Sequence, residues 1–103
     1  METAEAHIAL RVHETERGQI IGACDIEVLG KTLSEGDLRI EINESFYFEK
    51  KATLSELMDI ISDCATANLV GEKTVTAYCE NNPEAKGSVR LIDGVPHLQV
   101  FRL

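Results

Sequence analysis

The chain has 103 residues, 18 acidic against 10 basic, and a formal net charge of −8. Its length suits one domain that buries roughly 60–70% of its unfolded surface, enough for a core without disulfides or metal, and its apolar share of 44% excludes disorder. No apolar run nears the ~20 residues of a membrane span and no signal-peptide pattern opens the chain, while the surplus negative charge argues against an extended DNA-binding surface, though not against a local basic patch.

These bounds predict a soluble, cytoplasmic protein with no membrane association. Residues 7–13 alternate, with Ile8, Leu10 and Val12 on one face and His7, Ala9, Arg11 and His13 on the other, which predicts a half-buried strand. Residues 14–18 are polar and end in Gly18, as a hairpin loop does, and 19–24 form a second, mostly apolar strand. Over 25–30 a short helical turn is expected: Asp25 caps it, Glu27 suits its positive end, and Gly30 supplies a left-handed stop. Residues 34–37 read as a turn. Leu38, Ile40 and Ile42 then alternate with Arg39, Glu41 and Asn43 in a third strand, which 45–48 extends past an irregularity at Glu44.

The clearest helix spans 53–65. Thr53 and Glu56 form a capping box, in which hydroxyl and carboxylate each satisfy a free backbone amide, and Leu54, Leu57, Met58, Ile61, Cys64 and Ala65 follow at helical spacing. Asn68 caps a second helix running to 80, of weak propensity because Thr74, Val75 and Thr76 are β-branched. Asn81, Asn82 and Pro83 end it. The strongest hairpin signal is Asp93-Gly94, between strands over 88–92 and 95–103. A two-residue turn sets Ile92 against Val95, Leu91 against Pro96, Arg90 against His97, Val89 against Leu98 and Ser88 against Gln99. Pro96 then falls at a non-hydrogen-bonded pair, where its missing N–H costs the ladder nothing. The element order is β-β-β-α-α-β-β: an α+β domain over 1–103, with one antiparallel or mixed sheet covered on one face by two helices.

Cys24, Cys64 and Cys79 are odd in number and widely spaced, with no CxxC and no Cys/His ladder, and His7, His13 and His97 make no ligand pattern. No disulfide framework, metal or cofactor is expected, and reduced thiols fit the cytoplasm.

Three segments carry a resemblance: Ala23-Cys-Asp-Ile-Glu-Val-Leu-Gly30, Ala67-Asn-Leu-Val-Gly-Glu72 and Gly94-Val-Pro-His-Leu-Gln99. With the length and element order, they make the chain similar to the archaeal family catalogued as domain of unknown function 424, over nearly its whole length. The resemblance implies an archaeal cytoplasmic protein and carries no activity, cofactor or catalytic residue. Ile26 departs from it, standing where an acidic residue is more usual.

Cys24 directly precedes Asp25. A thiol near a helix N-terminus can have a lowered pKa, and His97 can serve as its base. Against this, cysteine at a strand end is ordinarily a small buried hydrophobe, and the charge of Asp25 raises a thiol pKa. Asn68 and Glu72 are four apart, as are Asp59 and Asp63. Such pairs share a helix face and can bind a cation or activate water, although a cap and a solvated face explain them as well. Gly71, unfavourable in a first helical turn, lets something approach closely, so the helix N-terminus at Asn68 and Gly71 can hold a phosphate or carboxylate; helix–strand packing explains it equally.

On the expected register Ser88, Arg90, His97 and Gln99 share one sheet face with Phe101, opposite Val89, Leu91, Leu98 and Val100. That face is a hydrogen-bonding patch of near-neutral to positive charge on an acidic chain, able to read phosphate, carboxylate or a peptide edge. Arg90 beside His97 disfavours the protonated imidazole. These residues lead to a non-enzymatic binding module that recognises an anionic ligand or macromolecular partner through Arg90, His97, Gln99 and Ser88, with Asn68, Gly71 and Glu72 as further candidate positions. The expected partner is a protein or, from the archaeal resemblance, an RNA-associated assembly. The alternative is a small enzyme using His97 as acid/base with Glu72 or Cys24, although no motif sets nucleophile, base and orienting group together. A third reading makes the C-terminal strand a subunit interface.

Overall fold

The opening alternation builds two long strands, β1 (His7–Thr15) and β2 (Gly18–Asp25), paired antiparallel from Ile8 with Asp25 to Thr15 with Gly18. The computed structural model describes residues 7–101. A tight turn at Glu16 and Arg17 joins the strands. Thr15 Oγ1 donates to the Gly18 carbonyl (2.7 Å) and accepts from the Arg17 amide (3.1 Å). A single 3₁₀ turn, Ile26–Val28, follows, and Gly30 turns the chain at φ +87°.

Strands β3 (Thr32–Glu35) and β4 (Leu38–Glu41) then pair only with each other. The turn expected over 34–37 shrinks to Gly36 and Asp37, because 32–35 are needed to pair β4 and bury Leu33. Residues 45–48 do not extend this strand. Residues 45–47 belong to a short helix α1 (Glu44–Tyr47), capped by Phe48 and started by the Asn43 side chain, which accepts the Phe46 amide at 2.9 Å. Strand β5 (Lys50–Thr53), which the lysine pair concealed, adds to the outer edge of β1.

Helix α2 (Leu54–Ile61) begins with the expected capping box: Thr53 Oγ1 accepts the Glu56 amide and Glu56 Oε1 accepts the Thr53 amide, both at 3.1 Å. Leu57 and Ile61 are buried, but the helix stops at Ile61 rather than 65. The second helix does not start at Asn68. Residues 66–70 are strand β6 (Thr66–Val70), placed between β2 and β8 and bonded to both. Helix α3 (Glu72–Asn81) starts only after Gly71. Thr66 to Val70 alternate apolar and polar, and two neighbouring ladders outweigh what a single asparagine cap contributes.

A 3₁₀ segment, Pro83–Ser88, leads to β7 (Arg90–Ile92) and β8 (Val95–Phe101). Their register sets Arg90 against His97, Leu91 against Pro96 and Ile92 against Val95, as the Asp93-Gly94 turn requires; both turn residues have positive φ (+56° and +79°). The ladder begins at Arg90, so the expected pairs of Ser88 with Gln99 and Val89 with Leu98 do not form: the 3₁₀ segment draws Ser88 out of the strand. Positions 102 and 103 of the expected last strand lie outside the described residues.

The main sheet has the order β5-β1-β2-β6-β8-β7, with β2 and β6 parallel and every other pair antiparallel. Helices α2 and α3 cover one face, burying Ile8, Leu10, Ile21, Leu69 and Leu98 against Leu57 and Val75. The opposite face is also covered, but only at one end. There the β3–β4 hairpin, the Ile26–Val28 turn and α1 bury Cys24, Val70 and Ile92 beneath Leu33, Ile42 and Tyr47. No helix among the described residues is long and apolar enough to cross a membrane.

The N-terminus of α3 is closed by Asp25, which the sequence assigns to the Ile26–Val28 turn but which makes no cap hydrogen bond there. Its buried carboxylate accepts the Lys73 amide (3.0 Å), the Thr74 amide (2.9 Å) and the Thr74 hydroxyl (2.8 Å). Gly71 leaves room for it: φ is +111°, and a Cβ there would overlap the Asp25 carboxyl carbon. Asp25→Ala is expected to lower unfolding stability in urea by about 2–4 kcal/mol, because it strands buried donors. Gly71→Ala is expected to be destabilising too, and the double variant less so than the two single costs added together.

Candidate functional site

Strand alternation sets two rows of side chains on this face, one at its uncovered end and one at the border of the covering elements. In one row Asn68 of β6 stands opposite Gln99 of β8, and Gln99 Nε2 donates to Asn68 Oδ1 at 3.0 Å. In the next, Val70, His97 and Arg90 lie in register across β6, β8 and β7. Thr66 pairs with Phe101 at the outer end, and Phe101 is 67% exposed on a strand whose alternate residues are core. Beyond it lies a cavity of about 590 Å³, lined by Arg17, Ile20, Ala65 and Thr66 among others.

Phe46 of α1 borders this surface. Its ring and carbonyl lie on Gly22, where any Cβ would overlap that carbonyl, and its ring stacks on His13 with centroids 4.7 Å apart. His13 Nε2 hydrogen-bonds the Phe46 carbonyl at 3.0 Å. A glycine inside an apolar strand signals such close approach, so this border was detectable at Gly22. Arg11 stands beside Gly22 on the same face, and its Nε is buried with no hydrogen-bond partner among the described residues.

The candidate positions separate into three groups. Arg90, His97, Gln99 and Asn68 come together on the open face. Ser88 is exposed on the 3₁₀ segment, off the ladder. Gly71 and Glu72 lie at the start of α3, where Asp25 already occupies the position proposed for an external anion. Asn68 and Glu72, on a strand and a helix respectively, do not share a helix face.

The pairs required for acid/base chemistry are also apart. Glu72 is exposed and lines a groove with Leu54 and Lys73, by the helices, whereas His97 projects from the opposite side of the sheet. Cys24 shares a face with His97, but Val70 stands between them, a gap of about 10 Å at two strand spacings. Burial, then Asp25 and Glu27, pushes the Cys24 thiol up to about 12. Tyr47, buried nearby, is also raised to about 12 by burial and then Cys24. Among the described residues no three His, Cys, Asp or Glu side chains gather as metal ligands.

His97 is half-buried. Burial first and Arg90 second hold its imidazole below the ordinary histidine pKa of 6.5. The folded chain therefore binds fewer protons than the unfolded chain as the pH falls below that value. This residue costs no stability above pH 6.5, and a penalty grows from there down to its folded pKa, then levels. His97→Gln is expected to flatten the loss of stability between about pH 7 and pH 5, and the His97 imidazole resonances to titrate below those of a model peptide. A midpoint at or above the model-peptide value would contradict this.

The thiols give a second measurement. Cys24, Cys64 and Cys79 are all buried, so alkylation of the native protein near neutral pH should be slow at all three, and become rapid only in denaturant.

Comparison with known proteins places this geometry in context. A family model described as "Protein of unknown function (DUF424)" matches residues 12–103. The fold is similar to the crystal structure of an uncharacterized conserved protein from Methanopyrus kandleri, with a TM-score of 0.74 at 24% identity, over 95% of this chain and 93% of that one. No curated protein matches the chain.

Proposed function

Starting from the fact that this chain belongs to the DUF424 family of proteins of unknown function, we propose that it is a non-enzymatic binding module of the archaeal cytoplasm, recognising an anionic ligand or macromolecular partner through the open face around Arg90, His97 and Gln99. The observation that carries this reading is the Arg90–His97 pair. The two side chains stand directly opposite on neighbouring strands, and neither makes an ion pair among the described residues.

An unpaired guanidinium is a fork of donors matched to a phosphate or carboxylate. The half-buried, mainly neutral imidazole beside it adds a donor or acceptor without opposing charge. Gln99 and Asn68 add amides in the neighbouring row, each of which keeps free hydrogen-bonding capacity beyond their mutual bond. The sheet beneath fixes the backbone spacing of all four, which lowers the ordering cost of binding. The separation of His97 from Glu72 and Cys24 favours binding over acid/base catalysis. Three buried, widely spaced cysteines fit a reducing compartment.

The double variant Arg90→Ala/His97→Ala tests this reading. Immobilised wild type and variant are compared for capture from lysate of an organism that encodes the chain, with captured species quantified by mass spectrometry. Partner recovery is expected to fall about tenfold or more, while urea unfolding stays cooperative because Arg90 is exposed. Equal recovery by both proteins would place the binding surface elsewhere.

A further inference from the structure

The sheet face opposite the helices departs from the charge of the chain as a whole. With a net charge of −8 and 18 acidic residues, the protein places no Asp or Glu, among the described residues, at a ladder position on this face, which instead carries His7, Arg11, His13, Lys51, Arg90 and His97. All three histidines of the chain are on it. Glu35 reaches it from the covering hairpin, and its carboxylate is engaged by the Asp93 amide at 2.7 Å. Strands that carry arginine, lysine and histidine but no acid on this face, in an acidic protein, favour an anion over a cation as its ligand.

The shape of the open end narrows the choice of anion. It is mostly the interior of a sheet: β6 is paired on both sides, and β8 has both partners at His97 but only β6 along Leu98–Phe101, so an added peptide strand would find free backbone groups along that stretch alone. What the surface offers is side chains on a flat platform. Phe101 is an exposed ring, Asn68 and Gln99 present amide donors and acceptors, and cationic Arg90 stands beyond His97. Along β8, Phe101 and His97 are four residues apart, about 13 Å. A ring for stacking, amides for base edges and a spaced cation are the elements by which proteins hold unstacked bases and their phosphates. A duplex keeps its bases stacked away from such a ring and brings twice the charge toward an acidic protein.

We propose that the open end of this face binds a single-stranded nucleic acid segment of a few nucleotides, with one base stacked on Phe101, an adjacent base edge on Asn68 and Gln99, and a phosphate on Arg90. This rests on the reading of the same face as the binding surface and adds the class of ligand. The cavity lined by Arg17 and Ile20 continues the path beyond Phe101.

Fluorescence anisotropy with a labelled, mixed-sequence oligonucleotide of about ten residues, in RNA and DNA forms and as the duplex, tests it at low salt. Single-strand binding is expected with Kd of about 1–100 µM, and weaker duplex binding. Phe101→Ala should weaken it about tenfold, and Arg90→Ala several-fold. Leu91→Ala, at the other exposed large apolar residue among the described residues and on the opposite face, should leave it unchanged. Single-strand binding that ignores Phe101→Ala, or a duplex bound as tightly, overturns the proposal. If no oligonucleotide binds but Arg90→Ala/His97→Ala loses a protein partner, the nucleic-acid inference fails and the binding face stands. If neither effect is seen, both fail.

Discussion

The buried carboxylate of Asp25 ties together the elements that hold the face in place. Asp25 ends β2 and Gly71 follows β6, and the parallel pairing of Cys24 with Val70 sets the two side by side. From there Asp25 closes the N-terminus of α3, while the Gly71 amide donates to the Pro96 carbonyl of β8 at 2.9 Å. Two adjacent positions thus join β2, β6, β8 and α3. The arrangement requires a residue without a Cβ at φ +111°, with Asp25 packed against it. It also means that the positive end of the α3 dipole is neutralised from within the protein, by a residue 48 positions from the amide it accepts.

This anchoring explains why the two faces of the sheet behave differently. Helix α3 and α2 bury the aliphatic side completely in the middle of the sheet. On the other side, among the described residues, a short hairpin, the Ile26–Val28 turn and a four-residue helix lie over the sheet, and these reach Cys24, Val70 and Ile92 but leave Gln99 and Phe101 exposed. The same alternation that builds the core therefore leaves a rigid polar shelf on its reverse. The outer edges are managed separately. Strand β5 carries Lys50 and Lys51, charges that discourage edge pairing, and β7 has only three residues. The exposed Lys50–Glu56 and Lys73–Glu27 pairs contribute little to any of this.

Where local chemistry alone decides the structure, it was legible in the residues. Period-two alternation identified β1 and a mostly apolar run β2, the capping box at Thr53 and Glu56 started α2, and Asp93-Gly94 with Pro96 set the register that brings Arg90 opposite His97. Each works over a few residues and needs no partner from elsewhere. The errors fall where two parts of the chain compete for the same groups. Asn68 has good capping chemistry, but β2 and β8 supply two ladders for its backbone, and it becomes a central strand residue. Asp25 sits correctly to cap the turn after it, but the amides of Lys73 and Thr74 are brought to it by the parallel pairing.

The sequence by itself therefore determined an α+β chain, its first hairpin, its main helix, and the pair of polar residues at the C-terminal hairpin, because these depend on side-chain periodicity and on turns spanning a few residues. Only the tertiary structure decided the parallel placement of β6, the use of Asp25 at α3, the exclusion of Ser88, and the half-covering of the second face by Phe46 and the β3–β4 hairpin. Those outcomes depend on which distant segments meet. A strand between two ladders, or a helix end beside a buried carboxylate, gains hydrogen bonds that no local pattern records.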